Sequence, residues 1–82
     1  MIKIIITDDH PIFRRGIKQI LGECFDIEIV NEAKDSNELF EILKKTKCDI
    51  LLLDISLPGK NGLEILNEVS EFYKNIKVLV LG

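Results

Sequence analysis

The sequence predicts an open α/β fold, a doubly wound parallel sheet of four strands joined by three helices. Two observations predict it. Short, nearly continuous apolar runs recur along the chain, as they do in strands that are buried on both faces. Between these runs, apolar residues recur at spacings of three and four, which is the helical period. Because parallel strands joined by helices use right-handed crossovers, the order β-α-β-α-β-α-β covers both faces of one sheet.

Three of the four predicted strands are almost entirely apolar. The first is Ile2 to Ile6, the third is Ile50 to Leu53, and the fourth is Val78 to Leu81. The second, Ile27 to Val30, alternates partly with polar residues, which is typical of a strand nearer to a sheet edge. The expected strand order is therefore 2-1-3-4, with the first and third strands as neighbours.

The predicted helices begin at recognisable signals. Pro11 suits the first turn of a helix, the segment from Asp35 to Glu38 matches a capping box, and the third helix follows Gly62. Each helix carries an apolar stripe that is expected to face the sheet. The stripes comprise Ile12, Phe13, Gly16, Ile17, Ile20, Leu21 and Cys24; Leu39, Phe40, Ile42 and Leu43; and Leu63, Ile65, Leu66, Val69, Phe72 and Tyr73.

Composition indicates one globular domain. The 82 residues are 46 % hydrophobic and 30 % charged, with a net charge of −3. Proteins that grip nucleic acid through its phosphates are usually basic, so we expect no direct nucleic-acid contact from this segment. The longest apolar runs have four residues, which excludes a transmembrane helix. The N-terminal run reaches Asp8 too soon for a signal peptide.

The two cysteines, Cys24 and Cys48, lie 24 residues apart, and no second Cys or His is spaced to complete a metal site. We expect both to be small buried hydrophobes. A reducing, cytoplasmic location fits this expectation.

Three carboxylates are predicted to meet at one edge of the sheet. Asp8 and Asp9 follow the first strand and Asp54 follows the third. Ligands of doubly wound sheets bind beyond the carboxyl ends of such neighbouring strands. Each aspartate alone could cap a helix or a turn, but three together repel one another unless a cation offsets their charge. Oxygen ligands with a partly open shell suit Mg²⁺, and a carboxylate beside the ion could form an acyl phosphate.

The stretches ITDDHPIFRRGIKQIL, DILLLDISLPGKNGLEIL and IKVLVL resemble the receiver domain of bacterial two-component response regulators. The Asp-Asp-His-Pro opening is most similar to the regulators that carry a C-terminal LuxR-type helix-turn-helix. The resemblance spans Ile2 to Leu81. It implies a flavodoxin-like fold, a signalling role rather than an enzyme, and a sensor histidine kinase as partner.

The resemblance also implies a role for each site residue. Asp54 would accept the phosphoryl group from the kinase's phosphohistidine. Asp8 and Asp9 would hold Mg²⁺, Asp9 directly and Asp8 partly through water. Asp54 and the backbone carbonyl of Ser56 would complete the protein ligands. The segment from 58 to 62 would form a turn beside the acceptor, without chemistry of its own.

Other polar residues near these motifs are expected to play smaller parts. His10 is expected to help start the helix before Pro11 rather than to carry phosphate or ligate a metal, because the family places its phosphohistidine on the partner protein. The simplest interpretation of the basic residues on the first helix is a solvated face, formed by Arg14, Arg15 and Lys18. The family docks its kinase against this helix, so a contact role is the alternative.

The chain departs from the family at its C-terminal end. Receivers continue with a fourth helix, a fifth strand bearing a phosphoryl-contacting lysine, and a fifth helix. The family's Ser or Thr after the fourth strand falls on Gly82 or just beyond it. We therefore expect residues 1–82 to form a receiver domain truncated after the fourth strand, with its metal site intact. The exposed fourth strand is expected to pair with another chain.

Several functions remain open at this point. The first is a phosphoacceptor that controls a missing DNA-binding output domain. The second is a truncated receiver that acts only as an interaction or dimerisation module. A hydrolase with an aspartyl nucleophile would resemble the haloacid dehalogenases, which carry D-x-D after the first strand instead of adjacent aspartates. A flavodoxin or P-loop protein fits less well, because no Gly/Ser/Thr-rich phosphate loop follows the first strand.

Overall fold

A computed structural model describes residues 1–54 and 61–81 of the chain. Strands and helices alternate in the predicted order. The strands are β1 (Ile2–Thr7), β2 (Ile27–Ala33), β3 (Ile50–Asp54) and β4 (Lys77–Leu81), and the helices are α1 (Pro11–Leu21), α2 (Ser36–Lys45) and α3 (Gly62–Phe72).

The four strands form one parallel sheet in the order β2-β1-β3-β4. This confirms the predicted doubly wound topology. β1 pairs with β3 so that Thr7 lies beside Leu53, which brings the carboxyl ends of both strands to one edge. The pairing of β1 with β2 shifts register between Ile4 and Ile5, where β2 contains one extra residue. The site described below lies at the edge where β1 and β3 end.

The core has two parts, one on each face of the sheet. Successive strand residues point to opposite faces, so Ile5 belongs to one part while Ile4 and Ile6 belong to the other. This two-sided burial explains why β1 and β3 read as continuous apolar runs. The part under α2 and α3 comprises Ile5, Ala33, Leu39, Leu43, Cys48, Leu51, Leu53, Ile65 and Val69. The part under α1 comprises Ile4, Ile6 and Leu52.

The N-termini of α2 and α3 are capped by side chains. The carboxylate of Asp35 accepts a 2.8 Å hydrogen bond from the backbone N–H of Glu38, whose own carboxylate accepts one from the N–H of Lys34. The predicted capping box is confirmed. Asn61 plays the same part for α3 by accepting a hydrogen bond from the N–H of Glu64. Two of the three helices therefore begin where a side chain satisfies a free backbone donor.

The apolar stripe of α1 is less buried than its pattern predicts. Ile17 and Leu21 pack against the sheet, whereas Ile12, Phe13 and Ile20 are 85 %, 46 % and 69 % exposed. The prediction that the whole stripe faces the core is wrong for these three. The reason is that α1 is the only helix of the described chain on this face, so it contacts the sheet along one narrow row.

The two cysteines also differ from each other. Cys48 is buried in the core, as predicted, but Cys24 is exposed. Since α1 ends before Gly22, whose N–H bonds to the carbonyl of Lys18, Cys24 cannot join the helical stripe. Burial, with the nearby charge of Asp49, raises the pKa of the Cys48 thiol to about 11. The Cys48 thiol is therefore protonated at neutral pH.

Within residues 1–54 and 61–81, no helix is both long enough and apolar enough to cross a bilayer.

The packing of α3 predicts different effects for two substitutions on opposite sides of the helix. Ile65 is fully buried, whereas Leu63 and Phe72 are 65 % and 68 % exposed, so the prediction that the α3 stripe faces the sheet is wrong for these two. We expect Ile65→Ala to lower the free energy of unfolding by about 2–5 kcal/mol. Leu63→Ala, the matched control, should change it by less than about 0.5 kcal/mol. Urea unfolding followed by far-ultraviolet circular dichroism measures both, and equal losses would contradict this orientation of α3.

Candidate functional site

The ends of β1 and β3 bring together four side chains with metal-ligating atoms. Asp8, Asp9 and His10 follow β1, and Asp54 is the last residue of β3. One oxygen or nitrogen from each lies within 4.8 Å of the others. The three aspartates that the sequence groups at this edge are thus adjacent in space, and His10 joins them.

Backbone hydrogen bonds hold the first of these residues in place. The N–H of Asp8 donates to the carbonyl of Ala33 at 3.0 Å, which ties the segment after β1 to the end of β2. The Asp8 side chain is almost fully buried, and its Oδ1 accepts a 2.7 Å hydrogen bond from the N–H of His10. This two-residue side-chain turn bends the chain from β1 into α1. Asp8 therefore shapes the site as well as contributing charge to it.

The His10 ring lies between the carboxylates. Its Nδ1 is 3.0 Å from an oxygen of Asp8, 3.0 Å from one of Asp9 and 3.7 Å from one of Asp54. The hydrogen bond to Asp8, followed by the charge of Asp9, raises the pKa of His10 above its usual 6.5. In this arrangement Nδ1 of the ring faces all three carboxylates.

The backbone of His10 has the predicted role, while its ring has another. His10 is the N-cap residue of α1, so the prediction that it helps start the helix is confirmed, but its side chain makes no capping hydrogen bond. From the sequence, we expect no part in the site for the ring of His10. The available signal was its position directly after the two aspartates, but residue order does not say which rotamer the ring adopts.

The donor set fits a hard divalent cation. Asp9 Oδ1 is buried and accepts no hydrogen bond within the described chain, although His10 Nδ1 lies 3.0 Å away. An oxygen in this condition has a lone pair that a cation can use. With Asp8 and Asp54 it forms an all-oxygen set of carboxylates, which suits Mg²⁺. Ser56 and residues 58–60, to which the sequence assigns a ligand and a turn, lie outside the described residues, as does Gly82.

Comparison with known proteins shows the family of the chain. The family model described as "Response regulator receiver domain" matches residues 4–82. This chain belongs to that family. The receiver domain is 39 % identical over 81 residues to the transcriptional regulatory protein DegU of Brevibacillus brevis, covering 99 % of this chain and 34 % of DegU.

A second relative gives a similar result. The receiver domain is 40 % identical over 79 residues to the nitrate/nitrite response regulator NarL of Escherichia coli K12, covering 96 % of this chain and 37 % of NarL. The receiver domain thus spans about a third of the length of these curated relatives.

Solved structures share its fold. The non-phosphorylated receiver domain of the stress response regulator RcsB from Escherichia coli superposes with a TM-score of 0.94 at 30 % identity, covering 99 % of this chain and 64 % of that one. The isolated receiver domain of RcsB from Salmonella enterica serovar Typhimurium, in the presence of phosphomimetic BeF₃⁻, gives 0.93 at 29 % identity, covering 96 % and 59 %.

Two basic residues of α1 contact the outer strand β2. Arg14 Nε lies 3.7 Å from one carboxylate oxygen of Glu32, and Lys18 Nζ lies 2.8 Å from the other. Arg15 is exposed. The predicted solvated face therefore also carries ion pairs, because Arg14 and Lys18 meet a carboxylate of β2 that lies beyond the strand end predicted at Val30. Of the three, Arg15 presents its charge to solvent.

Proposed function

We propose that this receiver domain accepts a phosphoryl group on Asp54, with Mg²⁺ held by Asp8, Asp9 and Asp54. The observation that carries the proposal is the convergence of three carboxylates at the end of β1 and β3, one of them with a buried, unbonded oxygen. Such a concentration of like charge is costly without a cation. From the family resemblance, the proposal also includes the backbone carbonyl of Ser56 as a ligand.

The chemistry follows from the position of Asp54. Its side chain is 12 % exposed at the end of a central strand, and β-sheet pairing fixes the backbone that carries it. One carboxylate oxygen attacks phosphorus in line with the leaving group, the bond from phosphorus to the donor breaks, and an acyl phosphate forms. Mg²⁺ would offset the charge on the phosphoryl oxygens. Asp8 and Asp9 would orient the ion and keep it beside the acceptor.

The proposal extends to the whole protein of which such a domain is a part. Receiver domains of response regulators are signalling modules that interact with histidine kinases. We propose that a sensor kinase supplies the phosphoryl group and that the phosphorylated state controls a DNA-binding output domain, in the cytoplasm and without enzymatic turnover of its own. The relatives' names as transcriptional and nitrate/nitrite response regulators support this. The net charge of −3 supports the absence of DNA contact by this segment.

Phosphorylation of Asp54 is directly testable. Incubation with acetyl phosphate or beryllofluoride should give an adduct only when Mg²⁺ is present, because the three carboxylates need the ion to admit another anion. Asp54→Asn should abolish the adduct. Asp26→Asn, which removes an exposed carboxylate at the opposite edge of the sheet, should leave it unchanged. Intact mass spectrometry measures the acyl phosphate formed from acetyl phosphate, and amide chemical shifts detect the non-covalent beryllofluoride complex.

The alternatives give different results in the same experiment. Metal binding without an adduct would favour the interaction module, and steady release of phosphate from phosphate esters would favour a hydrolase. Either outcome would contradict the phosphoacceptor role.

The exposed charge on α1 predicts a kinase-specific effect. Because a charge at the rim of an interface mainly changes the association rate, Arg15→Ala should slow phosphotransfer from the sensor kinase about two- to ten-fold. Transfer from acetyl phosphate should be unaffected. Lys74→Ala removes a charge that follows α3, away from α1, and serves as the control. Equal slowing with both phosphate donors would exclude a docking role for Arg15.

A second proposal concerns self-association of the 82-residue chain through β4. Among the described strands, β4 pairs with β3 alone, and Leu79 and Val80 are 53 % and 44 % exposed on its two faces. Unpaired strand edges with apolar side chains favour pairing with another chain. A second copy of the same chain that added a strand beside β4 would pair its free backbone groups and cover part of both side chains.

Multi-angle light scattering tests this proposal. We expect a dimer or larger species whose fraction rises with concentration, and Leu79→Lys should shift it toward monomer, since charge on an edge strand opposes pairing. Leu63→Lys, on an exposed part of α3, controls for the general effect of a new charge. A wild-type chain that stays monomeric at high concentration would exclude association through β4.

A further inference from the structure

We propose that the His10 imidazole occupies the metal position in the metal-free receiver domain, so that Mg²⁺ must displace the ring before it can bind. This inference rests on the proposed Mg²⁺ site of Asp8, Asp9 and Asp54. It adds a residue that sets how readily the site loads. His10 would thereby determine the affinity of the site without ligating the ion.

The distances place the ring nitrogen where an ion would lie. Nδ1 is within 3.7 Å of an oxygen on each of Asp8, Asp9 and Asp54, and within 3.0 Å of the first two. An ion bound to these carboxylates needs oxygens at about 2.1 Å and retains several waters in an octahedral shell. The hollow between three carboxylates cannot hold both that hydrated ion and the ring. Binding of one therefore excludes the other.

The ring carries a proton on the atom that faces the carboxylates. Nδ1 lies 3.0 Å from Asp8 Oδ1 in a hydrogen bond. An ionised carboxylate can only accept, so Nδ1 is the donor. A nitrogen that donates a proton has no lone pair available for a metal. In this orientation His10 substitutes for a cation instead of adding a fourth ligand.

The His10 side chain can rotate away from the carboxylates while its backbone keeps its hydrogen bonds. The side chain is 65 % exposed and makes no capping hydrogen bond to α1. The N–H of His10 donates to Asp8 Oδ1, and its carbonyl accepts from the N–H of Arg14. Both of these bonds use backbone atoms of His10, so they survive rotation of its side chain. Displacement of the ring thus costs the contacts with the carboxylates and little else.

The test is a Mg²⁺ titration of the ¹⁵N-labelled protein at one fixed pH, followed by the amide shifts of Asp8, Asp9 and Asp54. A competing state that is populated in about 70–90 % of molecules weakens apparent affinity about three- to ten-fold. We therefore expect His10→Ala to bind Mg²⁺ about three- to ten-fold more tightly than wild type. His10→Asn keeps an uncharged donor in place of Nδ1 and should fall between the two.

Two controls separate displacement from other effects. Lys34→Ala removes an exposed positive charge next to Ala33, whose carbonyl anchors Asp8. If it tightens Mg²⁺ binding as much as His10→Ala does, net charge accounts for the effect and the inference fails. In wild type, Mg²⁺ should also move the His10 ring-nitrogen signals away from their hydrogen-bonded positions. A ring whose signals do not respond would equally overturn it.

The remaining outcomes distinguish this inference from the proposed function. Weaker Mg²⁺ binding in His10→Ala would make His10 a ligand, and unchanged binding would make it a bystander; both overturn displacement while leaving the Mg²⁺ site standing. If neither wild type nor His10→Ala responds to Mg²⁺ at Asp8, Asp9 and Asp54, the proposed site itself fails. A response in His10→Ala alone would support both.

Discussion

The pairing of β1 with β3 is the constraint on which this molecule depends. Both strands are buried on their two faces, with Ile5, Leu51 and Leu53 fully excluded from solvent. A shift of one residue in this register would turn every side chain of one strand to the opposite face and would move Asp54 relative to Asp8 and Asp9. The positions of the Asp8, Asp9 and Asp54 carboxylates therefore depend on this register. The favourable packing of the sheet offsets the repulsion among these carboxylates.

The charge at this edge is also balanced locally. Asp8 Oδ1 accepts hydrogen bonds from the backbone N–H and the ring Nδ1 of His10. The N–H of Asp8 donates to the carbonyl of Ala33 on β2. The Oδ1 atom of the buried Asp8 and its backbone N–H are therefore hydrogen-bonded, while Asp9 keeps an unbonded oxygen. The two adjacent aspartates thus have different environments. Asp8 acts as part of the scaffold, and Asp9 is the residue with capacity for a new partner.

Much of this arrangement could be predicted from residue patterns, and the failures have physical reasons. Continuous apolar runs identify strands buried on both faces, and the carboxyl ends of neighbouring strands locate Asp8, Asp9 and Asp54. An apolar stripe shows which side of a helix avoids water but does not show what covers it, so the exposure of Ile12 and Ile20 was not foreseeable. Side-chain rotamers depend on neighbours brought by the fold, and the His10 ring is the example.

The register shift in β2 affects the contacts of α1, although β2 is an outer strand of the sheet. Before it, Ile4 lies beside Ile29; after it, Ile6 lies beside Glu32. That one additional residue turns Glu32 toward α1, where it meets Arg14 and Lys18. Bulges re-aim side chains in this way. Arg14 and Lys18 therefore tie α1, whose N-cap residue is His10, to an outer strand. An insertion or deletion in β2 would therefore change the contacts of α1 without altering any of the three aspartates.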